Sequence, residues 1–355
     1  MPVHFEKLAL YELAKFLTLW NQPDPQFEIF PGGIEVSLPL GVGCELNRVL
    51  KIPVRILLRI IEAPTTSDDD FKQLLRQADL KRFSPLGAVH VSSRSSFLRF
   101  KKSLEHVVYD ELSFKPNKKG ADIFIRFFRD ICTISVNTSG EDLYLRGYDK
   151  WVAEAPVRDN IASGLLQLLL KGIPPEEQIE LIDPMAGSGT FLLEAFLLNK
   201  SVKRDFSYNQ WEIYKKANLS PKEKGGVLLP SSWSLFASDL LNKNKEIVEH
   251  NAKAIGATMN VTVDDLFKTA KKSKSQKQRV VVCNPPYGKR LKTSGHTSYF
   301  QDILDRISEV YSPERIGLLT PPTWLEHMSY ERLHLLDLEN SGLQTQFAVF
   351  YKKEG

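Results

Sequence analysis

From Asp159 onward, five short, nearly all-apolar segments alternate with long helical stretches: IELID (179–183), LFASD (235–239), NVTV (260–263), RVVVCN (279–284) and RIGLLT (315–320). Strands of this kind are buried on both faces, and their alternation with helices predicts a mostly parallel, doubly wound α/β sheet. Ligands of such sheets sit at the carboxyl ends of the strands. The residues that close each segment are therefore the ones to examine for chemistry.

The first closing sequence is DPMAGSGT, 183–190. Gly187 and Gly189 permit a tight turn with close backbone approach, and Thr190 opens a helix whose free amides favour polar or anionic groups. The turn lacks the third glycine of the dinucleotide fingerprint and the lysine of a P-loop. The second segment ends in Asp239, where a nucleotide site of this architecture places a carboxylate for ribose hydroxyls. The third ends in Asp264 and Asp265, either of which suits an adenine amino group. An aspartate at any one of these positions is accounted for by helix capping; three successive strand ends carrying one point to an adenosine-type cofactor.

The fourth segment runs into Asn284, Pro285, Pro286 and Tyr287. The prolines fix the backbone and remove two amide donors, leaving carbonyl acceptors, and Asn284 adds a side-chain oxygen. Acceptors converging on one point suit an exocyclic amine, and Tyr287 offers a flat face on which an extruded base can stack. A second proline pair, in LLTPPTW (318–324), has Thr320 and Thr323 where the amide and the aromatic would stand, and is assigned to a structural turn.

The first 150 residues have a different texture. Short β-rich segments (FEIF, GIEVSLPL, VRILLRII, AVHVSS, IFIRFF, ICTISVN) are interleaved with helical stretches around 8–19, 71–78 and 97–112, an α+β pattern, and Arg129 with Asp130 predicts a tight hairpin. Between Arg76 and Lys102 seven basic residues, among them Arg94, Arg99, Lys101 and Lys102, face one acid; between Lys268 and Arg279 six face none. Either run can follow a phosphate backbone, although the net charge of the chain is only +4.

A chain of 355 residues with 42% hydrophobic content can bury a sizeable core in two or three domains. Its apolar runs fall far short of a membrane span, and its start lacks the pattern of a secretory signal. Cys44, Cys132 and Cys283 are widely spaced and form no CxxC, which indicates neither a disulfide framework nor a thiolate metal site and fits a cytoplasmic protein. Cys283 reads as a core filler, and His296 and His327 as surface or structural residues.

DPMAGSGT, ASD and NPPYGKRL resemble the ordered motifs of class I S-adenosylmethionine-dependent methyltransferases that act on nucleobase amino groups. LYLRGYDKWVAEAPVRDNIASGLL (143–166), RDFSYNQW (204–211) and the 89–112 segment are similar to the THUMP-containing guanine-N2 RNA methyltransferases, with Val157 in place of the usual leucine and Asp149 in place of a basic or polar residue. The resemblance implies a ferredoxin-like segment over 1–52, a THUMP RNA-binding domain over 53–150 and a Rossmann-like methyltransferase domain over 151–355. It also implies S-adenosyl-L-methionine held by Asp183, Ala186, Gly187 and Gly189 at its amino-acid end, by Asp239 at its ribose, and by Asp264 or Asp265 at its adenine. The target base would be bound by Asn284, Pro285 and Tyr287, with RNA as partner, no metal, and direct methyl transfer to guanine N2. Large-subunit ribosomal RNA is favoured over transfer RNA. Adenine-N6 methylation of DNA and an inactive RNA-binding assembly factor are the alternatives, and oligomeric state stays open.

Overall fold

The computed structural model of the protein describes every residue except 23–24, 94–100, 155, 175, 199, 217–232, 287–297, 323–324, 326–329, 341 and 352–355; the side chains of 93 and 101–103 are likewise outside the description. Along the chain run α1 (Glu6–Leu19), β1 (Phe27–Phe30), β2 (Gly33–Val36), α2 (Leu40–Val49), β3 (Leu57–Pro64), α3 (Asp68–Gln77), β4 (Leu86–Ser93), α4 (Lys101–Leu112), β5 (Ala121–Phe128) and β6 (Ile131–Asn137). There follow α5 (Asp159–Leu169), β7 (Ile179–Asp183), α6 (Thr190–Leu197), α7 (Glu212–Lys216), β8 (Ser234–Asp239), α8 (Asn242–Ile255), β9 (Asn260–Val263), β10 (Gln278–Cys283), α9 (Tyr299–Tyr311), β11 (Arg315–Thr320), β12 (Arg332–Asn340) and β13 (Leu343–Tyr351).

The five expected strands are β7 to β11. They lie parallel in the order β11-β10-β7-β8-β9, and the antiparallel pair β13 and β12 extends the β11 edge to make seven strands. Strand order reverses between β7 and β10, so Asp183 and the residue after Cys283 flank the switch point, where a doubly wound sheet opens a crevice. Val280 to Cys283 are wholly buried, as strands covered on both faces require. The C-terminal hairpin β12–β13 was not anticipated: RLHLLDLEN is leucine-rich and shows no clear alternation, and its pairing with β13 overrides the local preference.

This sheet belongs to a compact unit made of Met1–Glu35, Arg146–Val202 and the chain from Trp233 onward; the other unit comprises Val36–Leu145 and the segment that begins at Lys203. The division departs from the expected boundaries in two places. Residues 1–35 belong with the parallel sheet because α1 buries Ala9, Leu13, Phe16 and Leu17, and Glu12 accepts a hydrogen bond of 3.0 Å from Gln167 on α5. The segment containing RDFSYNQW, although inserted between β7 and β8, contributes Phe206, Tyr208 and Trp211 to the core of the other unit.

That second unit is built on a four-stranded sheet, order β3-β6-β5-β4, with β4 parallel to β5 and the other pairs antiparallel. One face buries Ile123, Ile125, Phe127 and Ile134 beneath α3 and α4. The predicted hairpin joins β5 to β6, with both Arg129 (φ 50°) and Asp130 (φ 61°) in the left-handed region that two-residue hairpin turns demand. GIEVSLPL is a strand only as far as Val36. Leu40–Val49 is helical instead, because burial of Cys44, Leu46 and Val49 at helical spacing outweighs a sequence containing two glycines.

Candidate active site

Asp183 closes β7 almost fully buried and accepts a 3.2 Å hydrogen bond from the Met185 amide. Burial pushes its carboxyl up to about 8; the Met185 amide opposes the shift and the negative charge of Asp239 adds to it. Below that value the group keeps its proton, and a cation placed beside it would favour the charged form. The turn that follows is held by Ala186 N donating to Ser238 O (3.0 Å) and Gly189 N donating to Ala186 O (2.7 Å). Gly187 (φ 54°) and Gly189 (φ 75°) are both left-handed, but for different purposes. A Cβ on Gly187 would meet open space, whereas one on Gly189 would lie 3.1 Å from Val248 of α8. Gly187 therefore shapes the turn, and Gly189 also lets two helices close on each other.

Asp239 stitches the second strand end to the first. Its Oδ2 accepts from Gly187 N (2.9 Å), and its Oδ1 accepts from Leu241 N (3.0 Å) and Asn244 Nδ2 (2.9 Å). Three donors hold the carboxylate in one orientation, with lone-pair capacity left on Oδ2 for a hydroxyl. At the third strand end, Asp264 N donates to Asp239 O (3.0 Å). Asp265 is committed on both oxygens, accepting from Phe267 N (3.0 Å) and pairing with Lys268 Nζ (3.3 Å); Asp264 has only a 3.3 Å contact from Thr262 Oγ1.

After β10, Asn284 Oδ1 is buried and has no hydrogen-bond partner among the described residues. An oxygen in that position costs free energy until a donor reaches it. Pro286 lines the same cavity as Asn284; Pro285, which was expected there, is buried beside it but is not part of the wall. Tyr287 lies outside the described residues, as do His296 and His327. Cys283 is fully buried, and burial, reinforced by the charges of Asp183 and Asp239, raises its thiol far above the ordinary value, so it is an inert core residue. Thr320 of the second proline pair is likewise buried, its hydroxyl donating to Pro321 O (3.2 Å).

Asp183, Ala186, Gly187, Asp239, Asp264, Asp265 and Asn284 all line one cavity of about 640 Å³; Gly189 stands behind it as the cap of α6. The volume is of the size that a nucleoside-type ligand needs. An orphaned acceptor at one wall, an uncompensated buried carboxyl at another and an open glycine turn between them form a donor and acceptor set that fits S-adenosylmethionine beside an amine.

Two parts of this wall went unforeseen. Tyr299, at the start of α9, lines the cavity with its hydroxyl pushed up to about 12 by burial, and no local motif marks it. A strap that includes Val152, Ala153, Glu154, Pro156 and Val157 adds to the lining. It is tied down by Asn251 of α8, whose Oδ1 accepts from Trp151 N (2.8 Å) while its Nδ2 donates to Trp151 O (2.8 Å) and Ser188 O (3.1 Å). Ala153 N donates to Ser188 Oγ (2.7 Å), and the Trp151 ring stacks on His250 at 3.8 Å. At its root Arg146 makes a bidentate, fully buried pair with Glu194 (3.0 and 2.8 Å), and Lys150 reaches Asp159 (2.6 Å). The RGYDKW sequence thus anchors the residues that line the cavity after it.

Of the basic residues singled out for RNA, Arg94 and Arg99 lie outside the described residues, and Lys101 and Lys102 open α4 with their side chains outside the description. The 268–279 run is partly committed to structure: Arg279 pairs with Glu180 (2.8 Å) and Lys277 donates to Ser234 Oγ (2.9 Å). Among the described residues no group of three or more metal-ligating side chains gathers, and no helix is long and apolar enough to cross a membrane.

Residues 146–326 match the model of the family UPF0020, described as RMKL-like, methyltransferase domain. YpsC of Bacillus subtilis is 24% identical over 295 residues, 76% of this chain and 74% of its own length. The ribosomal RNA large subunit methyltransferase K/L of Shewanella pealeana is 23% identical over 319 residues, 79% of this chain, which spans 43% of that enzyme. Among solved structures, SMU.472, complexed with SAH, superposes with a TM-score of 0.78 at 21% identity, covering 100% of this chain and 97% of its own. That likeness establishes the fold over the whole chain.

Proposed function

Since the chain belongs to the RMKL-like methyltransferase-domain family, we propose that it transfers the methyl group of S-adenosyl-L-methionine to the exocyclic N2 amine of a guanosine in large-subunit ribosomal RNA. The observation that carries the reading is the buried, unpartnered Oδ1 of Asn284 at the switch point of the sheet. What that oxygen lacks is a donor, and an exocyclic amine brings one.

The cofactor supplies an electrophilic methyl group on a sulfonium. Asn284 Oδ1 accepts one N–H of the target amine and draws it out of conjugation with the ring, so that the nitrogen lone pair turns toward the methyl carbon. Asp183 provides the negative charge for the cationic end of the cofactor, Asp239 the acceptor for a ribose hydroxyl, and Asp264 or Asp265 the acceptor for adenine. The reaction depends on position and orientation, and the bonding around Asp239 and the Asn251 clamp on the strap fixes the walls before substrates arrive. The amine sheds its proton to water after transfer.

The RNA reading is supported by the K/L relative, whose name gives large-subunit ribosomal RNA as its substrate. The four-stranded sheet supports it too, as the core of a second compact unit of the kind that an RNA-gripping module of THUMP type would supply. Tyr287 and Pro285 are proposed to complete the base pocket, Arg94, Arg99, Lys101 and Lys102 to contact RNA phosphates, and the cytoplasm to be the place of action. The test is transfer of labelled methyl from S-adenosylmethionine to total RNA, fractionated by size and digested to nucleosides. N2-methylguanosine in the large ribosomal RNA is the expected product. Label confined to transfer RNA would change the substrate, and label in N6-methyladenosine or in no RNA would overturn the reading.

A further inference from the structure

The four-stranded sheet has a second face that, among the described residues, no helix covers in the way α3 and α4 cover the first. On it stand His90 and Ser92 of β4, Asp122, Phe124, Arg126 and Phe128 of β5, and Ile131 and Thr133 of β6, alternating with residues buried on the other side. Its carboxylates are already matched. Asp122 meets His90 (3.2 Å) and the Ala88 amide (2.8 Å); Glu62 meets Arg59 (3.3 Å) and the Thr133 hydroxyl (2.7 Å); Asp142 meets Arg55 (2.8 Å). Phe124 is also occupied, stacked on His90 at 4.7 Å with the Arg55 guanidinium 5.0 Å from its ring.

The hairpin end of the face is different. Phe128 and Ile131 are each 40% exposed, and the guanidiniums of Arg126 and Arg129 lie 5.6 and 5.1 Å from the Phe128 ring. Neither guanidinium has a carboxylate in ion-pair range among the described residues. Two uncompensated planar cations around an exposed aromatic ring, on an open sheet, combine the two elements that bind a single strand: π faces for bases and positive charge for the backbone. A protein partner would call for a broader apolar centre than one phenylalanine and one isoleucine flanked by Ser92 and Thr133.

We propose that Arg126, Phe128 and Arg129 form a stacking platform for unpaired nucleotides of the RNA substrate, separate from the base pocket at Asn284. The proposal rests on the RNA reading above and adds the surface that holds the RNA. A base stacks on Phe128 or on a guanidinium plane, and the two arginines take the adjoining phosphates.

The test uses the full chain and a fluorescein-labelled, short single-stranded RNA of mixed sequence, with duplex RNA of the same length as comparison, read by anisotropy across a salt series. Phe128→Ala is expected to weaken single-strand binding about tenfold and Phe128→Tyr to restore it. Arg126→Ala with Arg129→Ala is expected to reduce the slope of log affinity against log salt by about 1.4, two phosphate contacts at ~0.7 each. S-adenosylhomocysteine affinity should be untouched, and the chemical-denaturation midpoint of each variant should match that of the wild type, which verifies folding. Wild-type binding that all three variants retain unchanged would overturn the platform while leaving the RNA reading intact. Equal losses on duplex and single strand would overturn the stacking assignment. A wild-type chain that binds the cofactor but neither RNA would overturn the RNA reading itself.

Discussion

The carboxyl end of the parallel sheet and the open face of the four-stranded sheet are both candidates for binding, and they are built on opposite principles. At the first, the polar groups are held in place: Asp239 by three donors, the Trp151 backbone by both ends of the Asn251 amide, the buried Arg146 by Glu194. The exceptions among the described residues are Asn284 Oδ1, which has no partner, and the Asp183 carboxyl, which accepts one hydrogen bond, and these are the points at which we propose a ligand acts. At the second, the groups left without partners are exposed, and what marks them is surplus charge around an aromatic ring. A buried site advertises itself by what is missing; a surface platform does so by what is left over.

The contrast can be broken or sharpened by substitution. The largest effect is expected at Trp211, fully buried in the core of the four-stranded unit and edge-on to Phe83 at 4.8 Å. Trp211→Ala should cost about 3–5 kcal/mol in chemical denaturation and leave S-adenosylhomocysteine affinity as it was. A parallel fall in cofactor affinity would mean that the two regions do not act separately. Next, Gly189→Ala should destabilise by about 1–3 kcal/mol, since it combines left-handed strain with a Cβ 3.1 Å from Val248. Gly187→Ala has strain alone and should cost about 1 kcal/mol; equal losses at the two positions would contradict the separate roles given to them.

A smaller effect should appear as a pH dependence. Asp183 is raised from 3.8 to about 8 in the folded chain. Between those values the native state holds a proton that the unfolded chain has released, so stability falls as pH rises through that window. Asp183→Asn should flatten this dependence in denaturation curves collected across it. Binding of a cationic ligand favours the carboxylate and should expel the proton near neutrality, seen by calorimetry in two buffers of different ionisation heat. Binding without proton release would place the cation elsewhere.

The strand ends were legible in the sequence because a strand buried on both faces is a continuous apolar run, and a polar residue at its end stands out. Asp183, Asp239, Asp264 and Asn284 all emerged that way, and the structure places all of them on one cavity. Tyr299 did not emerge, because it reaches the cavity by packing and carries no local pattern, and the segment around Val152 and Val157 was visible as a family motif without its place on the cavity. RDFSYNQW was visible as a motif, yet its destination was hidden, because only long-range packing decides which core Phe206, Tyr208 and Trp211 join. The helix at Leu40–Val49 and the hairpin β12–β13 were missed for the same physical reason, since in both tertiary burial or pairing overrides weak or contrary local preference.

The most direct test of the account is Asn284→Ala in the full chain, comparing methyl transfer with cofactor and RNA binding. Transfer should fall by at least about a hundredfold, of order 3 kcal/mol in transition-state stabilisation, while S-adenosylhomocysteine and RNA are bound as before. Unchanged turnover in that variant would contradict the claim that the unpartnered oxygen at the switch point holds the reacting amine.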